Sequence, residues 1–225
     1  MPHNKRPQLV VLISGSGSNL QAFIDASKNG SLDADIAAVI SNKAGVMGLE
    51  RADNAGIANE VIDHKQFADR ESFDAELADR IESYKPDLVI LAGFMRILTP
   101  EFVDRFAGRI MNIHPSLLPK YPGLHTHKRA IEAGDTTAGV TVHFVTSELD
   151  GGPAIIQAEV PILPGDDEDT LASRVLVQEH QIYPLAAQWF CEGKLSLNDG
   201  TPELNGEPLP ISGTKFCSEK SYSNK

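Results

Sequence analysis

The sequence predicts an α/β protein on an open, doubly wound, mostly parallel sheet, a Rossmann-like arrangement ending in an antiparallel hairpin. Three observations carry that expectation. Short apolar, β-branched runs recur along the first half of the chain, helical patterns separate them, and the first run passes straight into a glycine-rich turn. Runs that are apolar throughout, rather than alternating, suit strands covered on both faces.

In order, the strands fall at residues 9–13, 36–40, 58–62 (the weakest), 88–92 and 110–113. Helices are expected at 19–26, at 44–54 with a stop near Gly56, and at 67–83. In the last of these Phe73, Leu77 and Ile81 recur every fourth residue and Pro86 follows the end. Beyond Thr136 the pattern changes: residues 139–145 alternate, Asp150-Gly151-Gly152-Pro153 reads as a turn, and 154–160 is a second apolar run, an antiparallel hairpin. Asp169 is a candidate cap for a long helix from about Thr170, with Leu171, Val175, Ile182 and Leu185 near one face and Pro184 expected to kink or split it. Residues 195–206 suggest a small surface hairpin around Asp199-Gly200. With no internal repeat and no linker, residues 1–211 read as one domain and 212–225 as a polar, mobile tail.

Composition narrows the function. The 225 residues are 41% hydrophobic and 23% charged, the balance of a soluble globular protein. Twenty Lys and Arg against 31 Asp and Glu leave a net charge of −11, the wrong sign for coating nucleic acid. A single phosphorylated metabolite remains a suitable ligand, because one anion site needs only one or two cations and some backbone N–H groups. Cys191 and Cys217 form no Cys-x-x-Cys pair, which suits a reducing, cytoplasmic setting. No apolar run approaches the ~18 residues of a membrane span, and no signal sequence is expected at the start.

Three segments are suited to chemistry. Ser14-Gly15-Ser16-Gly17-Ser18-Asn19 joins the first strand to a helix, a place where backbone N–H groups approach an anion; otherwise it is a turn capped by Ser18 or Asn19. Leu20 stands where a dinucleotide fingerprint wants its third glycine, and no Lys-Ser/Thr pair makes a P-loop. Asn112 and His114 share one side of the 110–113 strand at its carboxyl end, an amide donor and a titratable ring aimed at one point; either alone is more often a structural hydrogen-bonder. Asp150 in the hairpin turn gains a role if the sheet brings it beside His114, where a carboxylate favours the imidazolium. The Pro- and Gly-rich stretch 116–127 is long enough for a functional loop. Its His125-x-His127, with His114 or His143, invites a metal reading that the lack of nearby carboxylates disfavours, so no metal is expected.

Together these motifs resemble the phosphoribosylglycinamide formyltransferases, folate-dependent enzymes of purine synthesis, in their small single-function form. The resemblance runs from about Leu9 to Gly193 through the 13–20 and 91–98 segments, 112–127, Val142-His143-Phe144 and Glu148-Leu149-Asp150-Gly151-Gly152-Pro153. It implies transfer of a formyl group from 10-formyltetrahydrofolate to the amine of N1-(5-phospho-D-ribosyl)glycinamide, that is, glycinamide ribonucleotide. It carries catalytic roles to Asn112, His114 and Asp150, with Asp150 raising the His pKa and assisting proton transfer. Gly17, Ser18, Asn19, Gln178 and Glu179 would meet the ribonucleotide. Arg70, Met95, Arg96, Ile97, Leu98, Asn112, Thr146, Ser147, Glu148, Leu149 and Asp150 would form the folate side. No nucleic-acid or membrane partner is implied, and the chain is expected as a monomer or homodimer.

Other readings are less favoured. A formyltetrahydrofolate deformylase would need an N-terminal regulatory module, whereas only about eight residues precede the first strand; methionyl-tRNA formyltransferase would need a C-terminal tRNA domain. A non-catalytic folate or nucleotide sensor should show a damaged site. In a Rossmann dehydrogenase, Asp33 or Asp35 would end the second strand rather than precede it.

Overall fold

The computed structural model describes residues 5–217. β1 (Gln8–Ile13), β2 (Asp35–Ser41), β3 (Asn59–Val61), β4 (Leu88–Leu91) and β5 (Ile110–His114) stand at the expected places. β6 (Thr137–Phe144) and β7 (Ala154–Pro161) form the expected antiparallel hairpin. The main sheet has the order β7-β6-β5-β4-β1-β2-β3, parallel from β5 to β3, with β6 antiparallel to β5.

Apolar runs without alternation are needed because both faces are covered. On β1, Leu9, Val11 and Ile13 face one core layer while Val10 and Leu12 face the other. The first layer packs against α1 (Ser18–Asn29), α2 (Met47–Ala55) and α6 (Glu168–Cys191). The second receives Phe73, Leu77 and Ile81 from α3 (Arg70–Ser83) and Phe102 and Val103 from α4 (Pro100–Arg105). Full burial of such side chains stabilises the fold by roughly 1.5–3 kcal/mol each.

Several boundaries differ from expectation for local reasons. α3 begins at Arg70 because the Asp69 carboxylate accepts the Ser72 N–H at 2.8 Å, leaving Phe67 outside the helix. α4 was not expected, although Thr99 accepts the Phe102 N–H and Pro100 opens the first turn. α6 is capped by Asp167, which accepts the Thr170 N–H at 2.8 Å, so Asp169 falls inside the first turn. Nor does Pro184 split α6, which runs as one helix. The ring removes one helical bond, at a cost of about 3 kcal/mol, but Leu171, Val175, Ile182, Tyr183, Ala186 and Ala187 are all fully buried along the same helix and outweigh it.

The hairpin near residue 200 is β8 (Leu195–Asn198) and β9 (Thr201–Leu204), extended by a third strand, β10 (Glu207–Pro208). The segment from 212 is not wholly a free tail. β11 (Thr214–Phe216) pairs parallel to β7 and extends the main sheet, since an edge strand asks only for backbone donors and acceptors from its neighbour. Residues 218–225 of the expected tail lie outside the described residues. Among the described residues no helix is long and apolar enough to cross a membrane.

One buried contact joins α6 to the centre of the sheet. The Tyr183 hydroxyl lies 3.0 Å from the Leu91 carbonyl and 2.9 Å from that of Met111, bridging β4 and β5 just before Asn112. Tyr183→Phe is expected to keep the fold and lower stability by about 1–3 kcal/mol, because buried acceptors lose their donor. A chemical-denaturation midpoint checks this, and an unchanged midpoint would show that the carbonyls are satisfied without Tyr183.

Candidate functional site

The site gathers where β1, β4 and β5 end. At the end of β1, Ser14 Oγ donates to Asn42 Oδ1 at 2.6 Å and accepts the Met95 N–H at 2.8 Å, tying the turn to the loops after β2 and β4. Gly17 follows in the left-handed region, φ 69°, and begins α1 with no side-chain cap. Neither Ser18 nor Asn19 caps the helix, so its first N–H groups stay open toward a cavity of about 230 Å³ lined by residues 14–19 with Ala92, Gly93 and Met95. The Asn19 amide instead donates to Glu179 Oε2 of α6 at 2.8 Å, which brings the expected substrate residue beside the turn. Burial pushes the Glu179 carboxyl up against the opposing effect of Asn19. Gln178 is buried next to it, but the bond to the cradle is made by Glu179.

The second half of the site lies on β5 and β6. Their register sets Asn112 opposite His143 and His114 opposite Thr141. His143 Nδ1 lies 2.8 Å from the Phe144 carbonyl and donates to it, which leaves Nε2 to accept from Asn112 Nδ2 at 3.3 Å. Burial holds the His143 ring below its ordinary range, in keeping with a neutral acceptor. From the sequence His143 stands only as a third metal ligand and as part of a motif; its service to Asn112 depends on register.

His114 and Asp150 do meet. His114 Nδ1 lies 3.4 Å from Asp150 Oδ2, both side chains 8% exposed, and the same carboxylate oxygen accepts the Gly123 N–H at 2.8 Å. His114 Nε2 lies 2.9 Å from the Tyr121 carbonyl. Tyr121 was not foreseen as part of the site. It sits at φ 56°, with its hydroxyl donating to Asp135 at 2.9 Å. The hairpin loop reaches this face because Gly152 carries no side chain: a Cβ there would lie 1.8 Å from the Phe144 oxygen.

On the flank toward α3, Met95 and Ile97 are exposed while Leu98 is buried. The Arg96 guanidinium lies over the Phe73 ring at 4.9 Å. Asp74, buried, accepts the Thr99 N–H at 2.6 Å. Desolvation pushes its carboxyl up, opposed by Thr99, Arg96 and Arg70, so both expected folate-side arginines lie near one carboxylate. Thr146, Ser147, Glu148 and Leu149 form the loop leading to Asp150, with Leu149 exposed. His125 is exposed at the start of α5 (Thr126–Glu132), and His127 Nδ1 is buried without a partner. Asp33 and Asp35 pair with Arg6 at 2.8 and 2.6 Å, away from the end of β2.

The chain is similar to known proteins along most of its length. A family model described as formyl transferase matches residues 7–187. Phosphoribosylglycinamide formyltransferase of Escherichia coli (strain K12) is 56% identical over 205 residues, covering 91% of this chain and 97% of that protein. The Homo sapiens trifunctional purine biosynthetic protein adenosine-3 is 46% identical over 195 residues, 87% of this chain and 19% of that protein. Among solved structures, phosphoribosylglycinamide formyltransferase from Coxiella burnetii superposes with a TM-score of 0.91 at 49% identity, covering 95% of this chain and 100% of that one.

The buried His143 gives a pH test. The fold holds the ring neutral while the unfolded chain takes up a proton below about pH 6.5, so the stability tied to a neutral His143 is present above that value and declines as pH falls. The stability gap between wild type and His143→Asn is expected to narrow from about pH 7.5 to about pH 5.5. Denaturation at a series of pH values checks this; a constant gap would contradict a neutral buried ring.

Proposed function

Because the chain belongs to the formyl transferase family, among the phosphoribosylglycinamide formyltransferases, we propose that it moves the formyl group of 10-formyltetrahydrofolate to the amine of glycinamide ribonucleotide by direct attack. The observation that carries this reading is the contact of His114 with Asp150, with Asn112 two residues before His114 on the same side of β5, on a sheet whose β1 ends in a turn with open N–H groups. Neighbouring strands lie ~4.8 Å apart, so the end of β1 is about 10 Å from the end of β5. That span is comparable to an extended phosphoribosyl group with its glycinamide arm. The phosphate would sit on the 15–19 turn, with Glu179 toward the sugar and the amine at His114. The folate would lie along Met95, Ile97 and the 146–150 loop, with Arg70 and Arg96 suited to its carboxylates.

A neutral amine is already a nucleophile, so the protein's task is positioning and charge stabilisation. The amine nitrogen bonds to the formyl carbon and the carbonyl pair moves to oxygen. Collapse then breaks the bond to the folate nitrogen, which takes the proton the amine gives up. Asn112 uses one N–H on His143 and keeps the other for the developing oxyanion. Both nitrogens of His114 face acceptors, Asp150 and Tyr121, and only the protonated ring offers a proton to each. In the reaction the Nε2–H would exchange the Tyr121 carbonyl for the oxyanion, and Asp150 would assist proton transfer through water.

His114→Ala and Asp150→Asn are each expected to lower turnover roughly 10²–10³-fold in folded protein, and Asn112→Ala to lower rate with substrate binding retained. The assay is release of folate from a 10-formylfolate donor, followed by absorbance with glycinamide ribonucleotide or water alone as acceptor. Release that depends on the ribonucleotide, with formylated product in equal amount, is the expected result. Release with water alone would replace this reading with a deformylase, and wild-type turnover in the His114 variant would remove His114 from the chemistry.

A further inference from the structure

The anion turn is shaped from behind by the first turns of α2. The Gly48 N–H donates to the Gly15 carbonyl at 3.1 Å, and a Cβ on Gly17 would lie 2.7 Å from Gly48 Cα, so the two segments are in direct backbone contact. A Cβ on Gly48 would in turn lie 2.4 Å from Ile13 Cδ1, which makes the absence of a side chain a condition of the contact. One turn further on, Arg51 donates through Nε to the Ser16 carbonyl at 2.8 Å and through Nη1 to Gln21 Oε1 at 3.1 Å.

A trans peptide holds its C=O and N–H on opposite sides. With the carbonyls of Gly15 and Ser16 drawn toward α2, the N–H groups of Ser16 and Gly17 are turned the other way, toward the cavity and the uncapped start of α1. Among the described residues no acceptor takes either N–H. Arg51 also brings a positive charge that acts on His180, one residue beyond Glu179, so the guanidinium lies on the side of the turn where α6 arrives.

We propose that Arg51 is a positioning residue for phosphate recognition: it holds the Ser16 carbonyl so that consecutive peptides present their N–H groups to a phosphomonoester dianion. The inference rests on the reading of the turn as the ribonucleotide's phosphate site and adds the side chain that sets its geometry. Two separate donors are required, one to Ser16 and one to Gln21, which a guanidinium supplies from one plane and an ammonium does not.

The test uses Arg51→Gln and Arg51→Lys, each checked for folding by its melting curve. Binding of ribose 5-phosphate and of ribose is measured first by calorimetry, with no reaction needed, and steady-state kinetics follow. In Arg51→Gln the Kd for ribose 5-phosphate is expected to rise roughly 10-fold or more, with KM for glycinamide ribonucleotide rising in step. Turnover at saturation and KM for the formyl donor should stay within about twofold, because uniform binding is what has been lost. Arg51→Lys should recover only part of the affinity, and it carries the test alone if the glutamine variant does not fold. Unchanged phosphate affinity in a folded variant overturns the inference, as does full recovery by lysine, which would make charge alone sufficient. Wild-type protein that binds ribose 5-phosphate but formylates no ribonucleotide would overturn the reaction reading and leave the role of Arg51 standing.

Discussion

Antiparallel pairing of β6 beside β5 is the constraint on which the candidate site depends, because it sets His143 opposite Asn112 and Thr141 opposite His114. A slip of one residue would turn both partners to the other face of the sheet. The same strand organises the loop that follows β5: Thr141 Oγ1 donates to the Ser116 carbonyl at 2.7 Å and accepts the Leu118 N–H at 3.0 Å. Gln157, opposite Thr141 on β7, donates to the Leu118 carbonyl at 2.8 Å. Two strands of the hairpin thus hold the start of the loop whose later residues, Tyr121 and Gly123, touch His114 and Asp150.

Asp150 closes the arrangement from the other direction. Its carboxylate meets an imidazole from β5 and a backbone N–H from the 116–125 loop, so three separate stretches of chain converge on one charged group. Such a group is costly to bury without partners, and here the partners are the residues it positions. Histidines in the same small space receive different surroundings: His143 has a backbone carbonyl on one nitrogen and an amide donor on the other, while His114 has an acceptor on each. Two rings of identical chemistry thus face different sets of partners.

The net charge of −11 does not oppose the proposed recognition of an anion, because on that reading the turn at 15–19 would offer oriented peptide N–H groups and a helix start rather than a field of surface cations. Its orientation comes from contacts on its outer side, at Ser14, Gly48 and Arg51. Close backbone approach is what glycine permits at positions 17 and 48, and a sequence shows a glycine without showing what lies against it.

Strands β1, β2, β4 and β5 and the stripe on α3 were legible because a strand buried on both faces must be apolar throughout and a half-buried helix must repeat near every fourth residue. Asn112 and His114 were legible as a pair because alternation along one strand is local geometry. The cap of α4 at Thr99-Pro100 is likewise a local signal, carried by a hydroxyl that accepts the Phe102 N–H and a proline in the first turn. The continuity of α6 through Pro184, the edge strand at Thr214–Phe216 and the partnership of His143 with Asn112 were decided elsewhere, by burial along a whole helix, by an available sheet edge and by strand register. The layered α/β frame and the residue types suited to acyl-transfer chemistry are readable along the chain, since both follow from local periodicity and side-chain chemistry. Which of those residues touch, that the Tyr121 carbonyl meets His114, and that Gly48 and Arg51 bond to the 15–19 turn follow from packing, because contacts across strands and between helices depend on distances that no local pattern encodes.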